Sequence, residues 1–465
     1  MATAGSGERG SAPMLAAVDD PSRQDQWPLD LRPGTPRSMA LIGEGSSGGV
    51  QALSAVAAQL LVGEEPVHLY LLDGDRSLEK LRDHPRVGSW VTEEHMPEME
   101  HLLAALKEEL TLRRISRERD RTPLIILMSG HAQWHMAAQS SGPGLMDHAL
   151  GTLISEGDGV GISAVLSGGR ELVSGKLGAR VPTRIYLPYG VSTDTSFMWP
   201  KLRPVDALPG RGVLVDPQHP APGLEVQLVS AAEDPVPDPD SRLPTSAPPP
   251  ISVHPLPEEL SWDRLPGAPT VQTVNGPGSI PAPVIGIAQF THAPAALELG
   301  TVSLILGSRA MGKTSALRLL TQQLDAPLGE RLRWWEQLEP ADQLGPPPGE
   351  EDLPAVLLID DADRLGPAEQ QRVEQLLLRG VRVVATAAPG ASIFSTIPWA
   401  HRARGGPSNM LLSPTHRSQG DAFAMSVPVL GRPVPGRAVL LRPENPMLVQ
   451  WASPAPPGHI QRVWR

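Results

Sequence analysis

The sequence contains no cysteine and few aromatic side chains. Its 465 residues include 4 Phe, 3 Tyr and 10 Trp, and no Cys. The lack of cysteine excludes disulfides, thiolate metal sites and a cysteine nucleophile, and it fits a reducing cytoplasm. No uninterrupted apolar run approaches the ~20 residues that a membrane-spanning helix needs. Residues 1–13 lack the apolar centre of a secretion signal and predict a short disordered tail. We therefore expect a soluble, cytoplasmic protein that could lie at the periphery of a membrane complex.

Positive charge is also scarce. The chain has 40 Lys and Arg against 51 Asp and Glu, which gives a formal net charge of −11. This balance disfavours a protein whose main task is to hold a nucleic-acid backbone, although a local basic patch is still compatible with it. Hydrophobic residues make up 40%, while 52 Pro and 45 Gly are present. This composition predicts globular domains joined by long irregular connectors.

The first part of the chain, residues 14–232, alternates strand and helix patterns. HLYLLD (68–73) and PLIILM (123–128) are short apolar runs typical of strands buried on both faces, and 160–166 and 183–187 supply two more. Between the first two runs, apolar residues recur at helical spacing: Met99, Leu102, Leu103, Leu106 and Leu110. This rhythm predicts an α/β domain with a mostly parallel sheet flanked by helices.

Residues 233–283 differ in composition, because they are dense in proline. Such a segment favours extended, semi-rigid linker conformations, and LPEELSWDRL (256–265) inside it predicts a short docked helix. The strand pattern resumes in residues 284–465 with VSLILG (302–307), AVLLIDD (355–361) and VRVVATA (381–387). We therefore predict a second α/β domain after the linker.

The stretch GSRAMGKTS contains the complete phosphate-loop pattern G-x-x-x-x-G-K-[ST] between a predicted strand and a predicted helix. Its glycines let backbone N–H groups surround a phosphate, Lys313 would reach the β- and γ-phosphates, and the Thr314 hydroxyl would ligate Mg²⁺. The pattern predicts ATP and Mg²⁺ as ligands. The predicted nucleotide-binding set is Gly307, Ser308, Arg309, Ala310, Met311, Gly312, Lys313, Thr314, Ser315 and Asp360.

A phosphate loop needs an acidic residue at the end of a neighbouring strand, and AVLLIDDADRL provides two. Asp360 is predicted to join Thr314 in the Mg²⁺ shell, and Asp361 is predicted to act with Lys313 as the catalytic pair. Most motor ATPases place Glu at the second position, so the shorter Asp predicts slow hydrolysis or a rearranged water. The alternative is that both acids only cap the next helix.

Three further residues are candidates for the same site. Thr386, at the end of VRVVAT, is placed to sense the γ-phosphate. Arg402 and Arg404, in HRARGG, are either arginine fingers acting in a neighbouring subunit or ordinary solvated loop residues, and the second interpretation is favoured.

The two halves of the chain share several features in the same order. GEGSSGGVQ (43–51) has the glycine spacing of the phosphate loop, and LPGRGVLV (208–215) resembles VPGRAVLL (434–441). These matches predict a tandem duplication, although strand–turn–strand signals also repeat in unrelated α/β proteins.

The first copy lacks the chemistry of the second. Gly49 and Val50 occupy the lysine and hydroxyl positions, and the strand that should end in Asp ends in Ser129. Asp73 and Asp75 follow a different strand and do not obviously replace the missing acid. We therefore predict weak or absent nucleotide binding in the first domain.

Two other residue pairs have simpler interpretations. His131 and His135 have the spacing of zinc-protease histidines, but Ala132 replaces the glutamate and no third ligand is apparent. Trp334 and Trp335 could form a stacking platform, but half-buried packing or an interface anchor is favoured.

Together these features resemble the FtsK/SpoIIIE group of P-loop motor ATPases, specifically the tandem ATPase region of type VII secretion ATPases of the EccC/EssC type. The resemblance is carried by AAVDDPSRQDQWPLDL, HLYLLDGDRSLEKLRDHPRVGSWVTEE, the paired PGR[GA]VL endings and LLIDDADRL, and it covers most of residues 14–455. It implies two tandem RecA-like P-loop NTPase domains, a degenerate one in 14–232 and an intact one in 284–465.

The resemblance also implies a function. The family self-assembles, in part as hexameric rings, and uses ATP to move DNA or secreted proteins together with membrane components. The family's forkhead-associated, membrane-spanning and first ATPase regions and a winged-helix tail are not recognised here, so we expect a C-terminal piece or a split subunit. Three functions stay open: an ATPase module of a secretion motor with a regulatory first domain, a DNA-translocating ATPase, and a nucleotide-dependent interaction protein that does not hydrolyse ATP.

Overall fold

A computed structural model describes most of the chain as two compact units, Met1–Pro255 (unit 1) and Leu256–Arg465 (unit 2). The boundary falls inside the proline-rich segment 233–283. Residues 1–11 of the predicted tail, and part of that segment, lie outside the described residues. The described residues are 12–34, 38–116, 121–141, 144–230, 249–265, 280, 282–338, 353–429, 434–443 and 446–455.

Unit 1 is a ten-stranded sheet with helices between its parallel strands. The strands are β1 (Met14–Asp20), β2 (Asp25–Asp30), β3 (Met39–Ile42), β4 (His68–Asp73), β5 (Val87–Val91), β6 (Leu124–Ser129), β7 (Ile162–Gly168), β8 (Thr183–Tyr186), β9 (Arg211–Val215) and β10 (Leu224–Leu228). The helices are α1 (Gly49–Val62), α2 (Met96–Ile115), α3 (His131–Ser141), α4 (Leu145–Gly157), α5 (Glu171–Ser174) and α6 (Thr193–Ser196). The strand order is β2-β1-β10-β9-β8-β3-β7-β6-β4-β5.

The described residues of unit 2 form a nine-stranded sheet. Its strands are β11 (Val284–Ala288), β12 (Pro294–Ala296), β13 (Val302–Gly307), β14 (Leu332–Trp334), β15 (Val356–Ile359), β16 (Arg382–Ala387), β17 (Asn409–Leu412), β18 (Arg437–Leu441) and β19 (Met447–Trp451). Its helices are α7 (Lys313–Leu328), α8 (Pro367–Leu378) and α9 (Ile393–Thr396). The order β12-β11-β19-β18-β17-β13-β16-β15-β14 repeats that of unit 1 strand for strand, and the described residues contain no counterpart of β5.

The parallel strands form the centre of each sheet, and antiparallel strands extend it on one side. In unit 1, β8-β3-β7-β6-β4-β5 are parallel, and β9, β10, β1 and β2 continue the sheet in antiparallel fashion. Every residue of β4 and β6 is buried, because helices cover both faces of this part of the sheet. The predicted α/β fold is confirmed.

The helix predicted from apolar spacing forms α2. All five of its predicted apolar residues are buried: Met99, Leu102, Leu103, Leu106 and Leu110. Among the described residues, no helix has both the length and the apolar character needed to cross a membrane.

The described part of the proline-rich segment packs onto the two units separately. On unit 1, the Ser89 hydroxyl accepts a hydrogen bond from Val253 N at 3.1 Å, and Tyr70 Oη accepts one from Ile251 N at 3.2 Å. On unit 2, Leu256 and Leu260 are buried in the core. The predicted short helix is only a 3₁₀ turn at Trp262–Arg264, and residues 256–260 are not helical. The carbonyl groups of Leu256, Pro257 and Glu258 are hydrogen-bonded to side chains of unit 2 instead.

Candidate functional site

The predicted phosphate loop joins the end of β13 to the start of α7. Gly312, with φ of +89°, is the residue before the helix, and Ala310 has φ of +65°. These left-handed residues turn the chain so that the first N–H groups of α7 point toward the loop. A Cβ atom at Gly312 would have no heavy atom within 4 Å, so the loop is open to a ligand.

Asp360 and Asp361 follow β15, the strand separated from β13 by β16. Thr314 Oγ1 donates to Asp360 Oδ2 at 2.5 Å, which brings a hydroxyl and a carboxylate from two elements into contact. Lys313 Nζ lies 2.9 Å from Asp361 Oδ1, and Arg364 Nε lies 3.5 Å from Asp361 Oδ2. The four residues named as Mg²⁺ ligands and catalytic pair therefore meet at one end of the sheet.

Thr386, at the end of β16, holds both acids. Its Oγ1 donates to Asp360 Oδ1 at 2.5 Å and accepts a hydrogen bond from Asp361 N at 2.7 Å. The Thr386 side chain is fully buried. Asp361 has φ of +48°, and this single hydroxyl fixes its backbone in that left-handed conformation.

The electrostatics of the cluster are balanced. Lys313 and Arg364 offset the two carboxylates, and the ammonium group is mostly shielded, with 14% of its side chain exposed. A hydroxyl oxygen beside a carboxylate oxygen is the donor set that Mg²⁺ takes from proteins. Thr314 and Asp360 therefore fit the predicted metal, and the open loop with Lys313 fits a polyphosphate.

Of the other predicted residues, some lie on the loop, and the two arginines contact side chains elsewhere in unit 2. Ser308, Arg309 and Ala310 are exposed on the loop, and Met311 packs against the core of unit 2. Arg402 Nη2 pairs with Glu374, and Arg404 stacks over the Phe394 ring at 4.3 Å, so both arginines contact their own unit.

Sequence reasoning missed Arg364. The signal was present, because Arg364 follows Asp361 by three residues in LLIDDADRL. Its contact with Asp361 depends on the 3₁₀ turn Ala362–Arg364, which places the two side chains on the same side.

Strand register gives the counterparts of these residues in unit 1. In unit 1, β7 lies beside β3, as β16 lies beside β13 in unit 2. The register of the two pairs makes Ser167 the counterpart of Thr386. By the same pairing, Ser129 occupies the place of Asp360, and Gly130 that of Asp361. Gly130 has φ of +62°, so unit 1 keeps the backbone turn and lacks the side chains.

The first glycine loop is closed by its own unit. Gly210 N donates to Ser47 O at 2.8 Å, and a Cβ atom at Gly48 would lie only 2.6 Å from Gly210 N. On the other side, a Cβ atom at Gly190 would lie 2.4 Å from Ser46 Oγ. The space that is open at Gly312 is therefore filled by protein at Gly48.

Two carboxylates reach Ser129 from the adjacent strand. Asp73 ends β4, which pairs with β6, and Ser129 Oγ lies 2.8 Å from Asp73 Oδ1 and 2.7 Å from Asp75 Oδ1. Asp73 is fully buried and also accepts hydrogen bonds from Trp90 Nε1 and Leu78 N. Burial raises the pKa of Asp73 above its ordinary value, against the opposite effect of these donors.

The structure also gives the positions of the histidine pair and the tryptophan pair noted in the sequence. His131 is buried at the start of α3, 3.7 Å from Asp147, while His135 is exposed. Among the described residues no group of three or more metal-ligating side chains occurs. Trp334 and Trp335 are both half-buried and pack against the two cores of unit 2.

Comparison with known proteins gives structural matches only. No protein-family model and no curated protein matches the sequence. ATPases 2 and 3 of EssC from Geobacillus thermodenitrificans match with a TM-score of 0.65 and 15% identity, covering 96% of this chain and 97% of that chain. ATPases 2 and 3 of Thermomonospora curvata EccC, in complex with a signal sequence peptide, match with a TM-score of 0.55 and 18% identity, covering 98% and 95%.

A third match concerns a longer protein. The cytoplasmic domain of the Thermomonospora curvata type VII secretion ATPase EccC matches with a TM-score of 0.52 and 18% identity, over 95% of this chain and 60% of that chain. At these identities the likeness concerns the fold. It confirms the predicted resemblance: the chain has the fold of the tandem ATPase domains of type VII secretion ATPases.

Proposed function

We propose that unit 2 binds and hydrolyses ATP with Mg²⁺. The observation that carries the proposal is the convergence of Lys313, Thr314, Asp360, Asp361 and Thr386 at the mouth of an open phosphate loop. Acids that only capped the next helix would not be expected to contact side chains of both α7 and β16.

The roles follow from the contacts. The loop N–H groups and Lys313 would bind the phosphates, and Thr314 with Asp360 would hold Mg²⁺, which supplies positive charge to the transferred phosphoryl group. A phosphate would compete with Asp361 for Lys313, because the ammonium group lies 2.9 Å from that carboxylate. Asp361, once released from Lys313, would accept hydrogen bonds from the attacking water and orient it.

Unit 1 is proposed to regulate or scaffold unit 2 without binding nucleotide. Its loop lacks the lysine and the hydroxyl, and Gly210 closes against Gly48 and Ser47. The carboxylates at Ser129 add negative charge where a nucleotide would bring more.

The wider proposal is a cytoplasmic module of a protein-secretion motor. The fold supports it, since the matching structures are the tandem domains of EssC and EccC. Self-assembly into a ring such as a hexamer, association with membrane secretion components and binding of secreted protein substrates form part of this proposal. DNA as the cargo is disfavoured by the net charge of −11.

The test is ATP binding and turnover by the full chain and its Lys313→Ala variant. We expect the variant to bind Mg²⁺–ATP at least about tenfold more weakly, because a charge-assisted contact to phosphate is lost. Lys176→Ala, which removes an exposed lysine of unit 1, is the matched control and should behave as wild type. Equal ATP affinity of the wild type and Lys313→Ala would contradict the nucleotide site.

Binding without Lys313-dependent turnover in any assembled state would instead support the interaction protein that does not hydrolyse ATP. Duplex DNA binding that weakens steeply with salt would support a DNA translocase, and we expect none.

A further inference from the structure

Both units contain an arginine and a glutamine that pair across the same two strands. In unit 2, Arg437 on β18 lies opposite Gln450 on β19, and its Nε donates to Gln450 Oε1 at 2.9 Å. In unit 1, Arg211 on β9 lies opposite Gln227 on β10, with the same hydrogen bond at 3.0 Å. We call each pair an Arg–Gln clamp.

The clamp of unit 2 binds main-chain carbonyl groups of the proline-rich segment. Arg437 Nη2 donates to Leu256 O at 3.2 Å and to Pro257 O at 3.1 Å. Gln450 Nε2 donates to Glu258 O at 3.3 Å. Two side chains thus donate hydrogen bonds to three consecutive carbonyl groups.

Two apolar side chains of the same segment are buried in unit 2. Leu256 and Leu260, four residues apart, are 5% and 7% exposed within the core of unit 2. Leu260 O accepts a hydrogen bond from Ser453 N at 2.7 Å, which continues the pairing along the segment. The ligand of this clamp is therefore an extended peptide with two leucine anchors.

The corresponding residues of unit 1 are exposed. Ala17 lies opposite Gln227 as Ile287 lies opposite Gln450. Ile287 and Gln450 are 6% and 1% exposed, whereas Ala17 and Gln227 are both exposed. Within the described residues, Arg211 uses Nε and Nη1 in hydrogen bonds, and none involves the Nη2 that binds the peptide in unit 2.

One difference between the clamps concerns charge. Arg211 Nη1 pairs with Glu225, whereas register places Leu448 at that position in unit 2. The carboxylate holds the guanidinium group through Nη1 and, among the described residues, does not engage Nη2. It also disfavours acidic residues in a bound peptide, because like charges repel at this distance.

We propose that the Arg211–Gln227 clamp of unit 1 is a second peptide-binding site. It takes an extended segment of a partner protein, with two leucine-sized side chains four residues apart and no acidic residues between them. The site does not depend on the nucleotide chemistry of unit 2.

The probe is a fluorescent peptide with the sequence of residues 254–264 in which Glu258 and Glu259 are replaced by glutamine. Added to the full chain, it should bind saturably and raise the fluorescence anisotropy. Arg211→Ala should weaken binding at least about tenfold, because two hydrogen bonds from a charged donor are lost. Arg437→Ala is the matched control in unit 2 and should not weaken it.

A second variant distinguishes loss of the binding contact from misfolding. Arg211→Lys keeps a positive charge beside Glu225 but removes the Nη2 donor, so it should weaken binding while the thermal unfolding midpoint stays near that of the wild type. Absence of saturable binding to the wild type, or equal affinity for wild type and Arg211→Ala, would overturn the proposal.

Discussion

Thr386→Val is the substitution that most directly tests how the acids of unit 2 are held. Valine has nearly the shape of threonine, so the buried site stays filled while the hydroxyl is lost. The hydroxyl makes two hydrogen bonds, one to Asp360 Oδ1 and one from Asp361 N. Its removal leaves an ionised carboxylate without one donor and a backbone N–H without its acceptor.

The expected cost in stability is small because both acids are partly exposed. A hydrogen bond to a charged group contributes ~1.5–3 kcal/mol, and an unsatisfied buried N–H costs a similar amount. Water can replace part of each contact here, so we expect the free energy of unfolding to fall by about 1–2 kcal/mol. Catalysis should suffer more, because Asp361 loses the contact that fixes its left-handed backbone, and a displacement of ~1 Å can lower kcat ~100-fold.

The assay is steady-state ATP turnover beside thermal unfolding. We expect kcat to fall about 10- to 100-fold, with KM nearly unchanged because Lys313 and the loop are intact. Ser167→Ala removes the hydroxyl at the corresponding position of unit 1 and should leave kcat unchanged. If Thr386→Val turned over ATP at the wild-type rate, or if both variants lowered kcat equally, the positioning role would be refuted.

Three further predictions address the two units separately. Asp361→Asn should keep ATP binding and lower kcat at least ~100-fold, as measured by calorimetry and turnover, because a neutral amide is a weaker acceptor for the attacking water than a carboxylate. Gly48→Ala should lower the melting temperature more than Gly312→Ala: both residues have left-handed φ, but only at Gly48 does the new Cβ atom meet a backbone nitrogen, at 2.6 Å. Asp73→Asn should change the pH dependence of stability. Burial raises the folded-state pKa of Asp73 above its ordinary value, so the wild type loses stability as pH rises from the ordinary value to the raised one. Thermal unfolding at a series of weakly acidic pH values should show the variant losing less stability over that window, and parallel curves would contradict the burial argument.

The local elements were predictable because their signals are local. HLYLLD and VSLILG coincide with β4 and β13, since runs of buried apolar residues have one stable environment in a parallel sheet. The loop and the acids after β15 were predictable for the same reason. Contacts that depend on strand order were not: Asp73 meets Ser129 only because β4 lies beside β6, and nothing in the sequence near either residue specifies that neighbour. Docking of residues 256–265 was predicted, although as a helix. The docking of residues 249–255 on unit 1 was hidden, because proline density indicates a linker whether or not a surface exists to bind it.

The comparison of the two units indicates what the first was retained for. Loss of a lysine alone would leave an open loop, but in unit 1 Gly210 and Gly190 lie against Gly48 and Ser46, and the acid position is occupied by Ser129 with two carboxylates around it. The strand order, the left-handed turn at Gly130 and the Arg–Gln clamp are nevertheless intact. Unit 1 therefore lacks the side chains that would bind a nucleotide, but it keeps the strand order, the turn and the clamp that form its surface. This pattern is the one expected if unit 1 acts by binding other polypeptide segments rather than by chemistry of its own.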